Sequence, residues 1–219
     1  MEYTGHWRPV IKALPDLFSA ALITLEAAVL SMIVGIIIGL ILAMMRLYGN
    51  RPMYFFATVW VELARNTPAL LQLFFFGFEL GAFGWHLSPF MIVLCGLAFN
   101  NAGYLAENFR GGFQAIPKPQ YNAARCLGMS ASQTYTRIII PQVFKLVYYP
   151  MTNQMVWAVL MSSLGMLVGF RELSGATQFL ASNTFRLFEF FLVAAVFYYV
   201  LVKLILLVAH LISRKLFTY

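Results

Sequence analysis

The sequence predicts an all-α fold, a polytopic membrane helix bundle with five transmembrane helices. Hydrophobic residues make up 61% of the 219 positions and charged residues 11%, against roughly 25% charged in an ordinary soluble domain. Mean hydropathy is +0.78, and several apolar runs approach or exceed the roughly 20 residues a helix needs to cross a bilayer. The short alternating segments of a lipid-facing β-barrel are absent. Helices are then the way to satisfy the backbone polar groups inside hydrocarbon.

The first span is expected from about Phe18 to Met45. It carries Gly35 and Gly39, small residues one turn apart that let another helix approach. The preceding stretch from Met1 to Asp16 is polar with mixed charge, and the apolar run is too long for a signal-peptide core, so this span is expected to remain in the mature protein. A second region, Met53 to Phe83, is too long for one upright span. It is interrupted at Arg65-Asn66-Thr67-Pro68, where proline removes a donor and disfavours helix in the residue before it. The third span runs from about Ser88 to Glu107, with Ser88 as N-cap and Pro89 as first helical residue. The fourth covers about Leu146 to Gly169, and the fifth about Phe188 to Ile212.

Charge asymmetry orients the bundle. Arg46 and Arg51 follow the first span, Arg110, Lys118, Arg125, Arg137 and Lys145 occupy the central loop, and Arg214 and Lys215 follow the last. No acid accompanies them, so these loops are expected in the cytosol. The opposite segments are mixed: Glu2, Arg8, Lys12 and Asp16, then Glu79, then Arg171, Glu172, Arg186 and Glu189. The N-terminus is expected outside and the C-terminus inside, in one transmembrane domain over 1–219. The net charge of +7 reflects this bias rather than nucleic-acid binding. Cys95 and Cys126 lack metal-ligand spacing and lie at different depths, and His6, His86 and His210 are scattered, so neither a disulfide nor a metal site is expected.

The central loop, 115–141, is more ordered than a reversal of direction requires. Pro119 suits the first position of a short helix reaching Leu127, and Gly128 suits its left-handed C-terminus. Ser130 and Gln133 fit a capping box for a second helix, expected to stop near Ile140, before Pro141. Leu127, Ile138 and Ile140 are then available for apolar contacts. Two readings fit this basic corner: a knob for the groove of a cytosolic partner, or an amphipathic element lying on anionic lipid.

The spacing Ala123-Ala124, three residues, Gly128, nine residues, Ile138, one residue, Ile140-Pro141 resembles the EAA loop of ABC importer permeases. Asn122 stands where that family has Glu, and Ile140 where it has Leu. Thr24-Leu25-Glu26, Arg65-Asn66-Thr67-Pro68 with Gln72-Leu73-Phe74-Phe75, Tyr104-Leu105-Ala106-Glu107 leading to Arg110-Gly111-Gly112, and Glu172-Leu173 extend the resemblance to the polar amino acid branch (histidine, glutamine, arginine, glutamate). The resemblance implies the five-span type I importer transmembrane domain in a bacterial inner membrane. It makes the loop a coupling helix, with Asn122, Ala123, Ala124, Arg125, Gly128, Ile138 and Pro141 facing the ATPase. It further implies two separate ATPase subunits carrying ATP and Mg, a second permease that is identical or paralogous, and an extracytoplasmic solute-binding protein. The chain has no Gly-x-x-x-x-Gly-Lys-Ser/Thr phosphate loop, so it is expected to hold no cofactor and to be no enzyme itself. An ion-gradient-driven secondary transporter or channel is the alternative, and it would leave the glycine-cornered loop without a cytosolic partner.

Polar residues inside spans are costly and mark candidate pathways. Asn100, Tyr104 and Glu107 share one helical face beside Asn101, suited to the ammonium and carboxylate groups of an amino acid. Equally, the two Asn residues could bond neighbouring helices and Glu107 could pair with Arg110. Arg65 suits an α-carboxylate or an intrahelical pair with Glu62. Gln72, Asn153, Gln154, Ser162 and Ser163 complete the candidates. Many related permeases carry a charged pair just before the residues matching Ser162-Ser163; here Leu160 and Met161 stand there. Either the substrate is recognised without that pair, or this chain is the less engaged half of two unlike permeases and its partner carries the binding site. Glu26 and Lys203 are isolated charges in spans, and Lys203 can snorkel to the surface.

Overall fold

The structure is a computed structural model that describes residues 7–217. Among them the elements are α1 (Arg8–Tyr48), α2 (Arg51–Asn66), α3 (Ala69–Ala82), α4 (Pro89–Gln114), α5 (Lys118–Cys126), α6 (Ala131–Val168), α7 (Leu173–Thr184) and α8 (Leu187–Leu216). Helices α1, α4, α6 and α8 are long and apolar enough to cross a membrane. The expected second span is present in two pieces, α2 and the shorter apolar α3, separated at Thr67 and Pro68.

Helix α1 is the central post. It begins ten residues before the expected start because Val10, Ala13 and Leu17 bury on one face while Lys12 and Asp16 stay on the exposed one. The mixed charge hid that periodicity. Its 41 residues amount to about 60 Å, well beyond a hydrocarbon core of about 30 Å. The extra turns pack with α7 and α8 around Leu17, Leu173 and Phe190. Further along, a Cβ built on Gly35 would lie 2.7 Å from Asn101 Cβ, and one on Gly39 2.9 Å from Leu105 Cβ. The two glycines are therefore what lets α1 and α4 lie against each other.

Helix α6 departs most from expectation. The capping box forms as read, with Gln133 N donating to Ser130 Oγ at 3.2 Å and Ser130 N to Gln133 Oε1 at 2.9 Å. The helix does not stop before Pro141. It passes through a π-helical turn over Tyr135–Ile139, where the Ile140 amide reaches back to Tyr135 O, and this wider turn accommodates the proline ring and its missing N–H. The loop helix and the fourth span are one element, ending where Gly169 takes φ 80°.

Helix α7 was not expected. Glu172 caps it, its Oε1 accepting from Ser174 N (2.8 Å) and Gly175 N (3.0 Å), which places an acid at the positive end of the helix. Its Oε2 accepts from Thr24 Oγ1 (3.0 Å) and the Tyr198 hydroxyl (2.6 Å), tying α7 to α1 and α8. Helix α8 is otherwise peripheral and is held to α6 by the Tyr148 hydroxyl, which donates to Ala209 O at 2.7 Å.

Candidate functional site: a carboxamide-lined cavity and a braced basic corner

The break between α2 and α3 builds the cavity wall. In a continuous helix the Ala64 carbonyl would accept from residue 68, but Pro68 has no N–H to give. Two carboxamides take its place: Gln72 Nε2 at 3.0 Å and Asn100 Nδ2 at 3.1 Å both donate to Ala64 O. Gln72 also donates to Thr67 O and Thr67 Oγ1, and its own Oε1 accepts from Asn100 at 3.0 Å. Gln72 is buried and acts as a splint across the proline break. Deeper in the bundle Asn101 donates to Ser31 Oγ (3.3 Å) and accepts from Gln154 Nε2 (2.9 Å), joining α1, α4 and α6.

Between these elements lies a cavity of about 520 Å³ lined by Thr67, Pro68, Asn100, Asn101, Tyr104, Asn108, Asn153, Gln154 and Trp157 among others. Its size falls in the usual small-molecule range of about 300–1,000 Å³. Of the expected pathway residues it gathers Asn100, Asn101, Tyr104, Asn153 and Gln154. Asn108 and Trp157 were missed by the sequence reading, although Asn101, Tyr104 and Asn108 recur at i, i+3 and i+7, and Asn153 and Trp157 at i and i+4, which is the available signal.

The other candidates sit elsewhere. Glu107 is outside the lining and pairs with Arg46 and, at 2.6 Å, with Arg110, so the expected face splits in two. The expected Glu62–Arg65 pair is replaced: Glu62 accepts from Asn66 Nδ2 at 2.6 Å, and the Arg65 guanidinium lies 5.6 Å from the Tyr104 ring centre. Ser162 is buried with its hydroxyl on Val159 O. Ser163 donates to Leu160 O and faces a second groove beside Ser174 and Tyr198.

At the basic end of the bundle, α5 meets α6 at Gly128, whose φ of 81° lies in the left-handed region that glycine adopts at little cost. Met129 N donates to Ala124 O and Gly128 N to Arg125 O, closing the helix end. Gln142 Nε2 donates to Gln120 Oε1 at 2.7 Å across the corner. Tyr121 packs edge-on against Tyr135, whose hydroxyl is 3.1 Å from that of Tyr48 at the end of α1. Ala124 is buried, whereas Asn122, Ala123 and Arg125 are exposed and Leu127 at the tip is 84% exposed. Ile138 turns partly into the bundle, against the cluster of Leu105, Phe109 and Val143, and Ile140 remains exposed. Arg125 Nη1 donates to Met129 O at 2.6 Å.

Membrane-length helices enclosing a carboxamide-lined cavity, with an ordered basic corner at one end, define the class as an α-helical membrane permease. Residues 35–218 match the family described as binding-protein-dependent transport system inner membrane component. The L-cystine transport system permease protein TcyB of Bacillus subtilis is 31% identical over 206 residues, covering 94% of this chain and 88% of that protein. The arginine transport system permease protein ArgU of Corynebacterium glutamicum is 31% identical over 210 residues, 90% of this chain, and the chain spans 66% of its length. A crystal structure of an amino acid ABC transporter with histidines superposes with a TM-score of 0.90 at 29% identity, covering 97% of this chain and 100% of that one. The chain belongs to the family of binding-protein-dependent transport system inner membrane components and is a permease subunit of the ABC transporter type.

Proposed function

We propose that the chain is the transmembrane permease subunit of an ATP-driven importer of polar amino acids, working by alternating access. The loop 115–141 couples it to two separate ATPase subunits that hold ATP and Mg. A second permease, identical or paralogous, completes the pathway, and an extracytoplasmic solute-binding protein delivers the amino acid. The N-terminus is outside and the C-terminus cytosolic.

The observation that carries this reading is the corner at Gly128. It is braced from behind through Gln120–Gln142 and Tyr121–Tyr135, while Leu127 and Arg125 stand out from it. A stiff element with an apolar tip and a basic flank suits a groove in a soluble partner. With no phosphate loop in the chain, nucleotide chemistry falls to that partner. Import requires that closure of the ATPase pair favour one arrangement of the helices over the other, since a ligand shifts an equilibrium only by its differential affinity. Arginine and L-cystine in the relatives' names support an amino acid as cargo.

The test is reconstitution of the permease pair with its ATPase subunits in proteoliposomes, with radiolabelled amino acids presented by the binding protein. Uptake is expected to need ATP and to survive collapse of ion gradients. Uptake that persists without ATP and stops when the ion gradient is dissipated would overturn the reading.

A further inference from the structure

We infer that the cavity selects amino acids whose side chains are uncharged, a carboxamide side chain fitting it best, and that Asn108 and Asn153 are residues that set this selection. The inference rests on the transport reading above and narrows its substrate class.

The lining contains five carboxamides, a tyrosine, a threonine and an indole, and neither a carboxylate nor a cation. A positive charge lies next to a lining residue: the Arg65 guanidinium is 5.6 Å from the Tyr104 ring centre. Glu62, one turn from it on α2, is engaged by Asn66 and is not part of the wall. Glu107 is held by Arg46 and Arg110. One cation beside the wall matches one α-carboxylate, leaving none for a side-chain carboxylate. An arginine or lysine side chain would find no acid. Moving a charged group out of water is unfavourable unless a counter-charge meets it, so cationic and anionic side chains are both disfavoured.

The carboxamides are not equivalent. Those of Asn100, Asn101 and Gln154 are committed to helix packing. Asn108 and Asn153, on α4 and α6, line the cavity, and their side-chain amides make no hydrogen bond to another described residue. Each offers two donors and an acceptor, the complement of a carboxamide. Asn153 lies one turn before Trp157 on α6, and both are exposed to the cavity, so an apolar stem has a ring to lie on while its polar end reaches the amide.

The assay is equilibrium binding of tritiated glutamine, asparagine, arginine and glutamate to the purified permease–ATPase complex in nanodiscs, without the binding protein, alongside ATP-driven uptake by the complete system. Glutamine and asparagine are expected to bind more than about tenfold tighter than arginine and glutamate. Asn153→Asp should reverse this, raising arginine affinity and lowering that for glutamine, and Asn108→Asp should act in the same direction. Size-exclusion co-elution with the ATPase checks that each variant assembles, and Asn153→Ser, which removes the amide without adding charge, should weaken glutamine without recruiting arginine. Arginine or glutamate preferred by the unaltered complex, or a selectivity profile unmoved in both Asp variants, would overturn the inference while amino acid uptake left the transport reading standing. Absence of binding together with absence of amino acid uptake would overturn both.

Discussion

Replacing Gln72 by leucine tests whether the proline break is held open by side chains. Gln72 Nε2 has two hydrogens and three acceptors within 3.1 Å, Ala64 O, Thr67 O and Thr67 Oγ1, and its Oε1 accepts from Asn100. Leucine has nearly the same volume, so the steric change is small and the loss is polar. With each neutral bond contributing about 0.5–1.5 kcal/mol net, and with Asn100 still donating to Ala64 O, the expected destabilisation is about 2–4 kcal/mol. Thermal unfolding of the detergent-solubilised protein measures it. The control is Pro68→Ala, which restores an N–H that can reach Ala64 O, so Gln72→Leu should cost less in that background, a positive coupling in a double-mutant cycle. A Gln72→Leu protein within about 0.5 kcal/mol of wild type, or equal costs in both backgrounds, would refute the splint.

Three further outcomes are expected. A Cβ at Gly128 meets nothing within 4 Å in this chain, so Gly128→Asp carries only the left-handed backbone cost of about 1–2 kcal/mol and should insert normally; loss of ATP-driven uptake with insertion intact would locate the partner surface at the corner, and wild-type uptake would refute the lever. Glu107→Gln leaves the nearly buried Arg46 without its counter-charge and should lower stability by about 2–4 kcal/mol, most of it recovered by adding Arg46→Met, as read from melting curves. Burial pushes the Glu172 carboxyl above its ordinary 4.5, opposed by hydrogen bonds from Tyr198, Gly175, Thr24 and Ser174. The fold therefore binds that proton more tightly than the unfolded chain does. This contribution is present below pH 4.5 and lost as pH rises through the raised value, and Glu172→Gln should flatten that portion of the melting-temperature profile.

What was legible in the sequence was local chemistry. Pro68 announces its break because a missing N–H acts on the residue that carries it, and Ser130 with Gln133 announces a helix start because both partners lie within one turn. Gly35 and Gly39 announce a close approach without naming Asn101 and Leu105 as what approaches. The rule that stops a helix before Pro141 is also local, and here it fails because a π-helical turn absorbs the ring. Glu172 was read as one of a set of mixed loop charges because its partners Thr24 and Tyr198 lie 148 and 26 residues away. Likewise Asn108 and Trp157 gain meaning only when α4 and α6 stand side by side across a cavity. The carboxamides of Asn100 and Gln72, expected on the pathway, turn out to satisfy the Ala64 carbonyl first.

The continuity of α6 through Pro141 changes what the proposed coupling can do. Were the second loop helix to end at Ile140, a push on the corner would reach the cavity only through a joint. As one helix, α6 carries Gln142, braced to the corner, and Asn153 and Trp157, in the cavity wall, on the same rod, about 16–23 Å apart along its axis. The opposite wall has little freedom, because α4 is seated on α1 at Gly35 and Gly39 with no space for a single methyl group. On the proposed function, then, the cavity has one fixed wall and one movable wall. The Gln154–Asn101 hydrogen bond joins the two walls at depth, with Asn153 on one side of it along α6 and Trp157 on the other. If that bond serves as the pivot, a tilt imposed at Gly128 moves the corner and the far end of α6 in opposite directions while the carboxamide link is kept. A disulfide between paired cysteines introduced on α1 and α4 away from Gly35, Gly39 and Asn101, so that the close approach and the carboxamide link are both kept, should then leave ATP-driven uptake intact. One placed between α4 and the α6 residues beyond Trp157 should arrest it. Uptake lost in the first and retained in the second would refute the assignment of the moving wall.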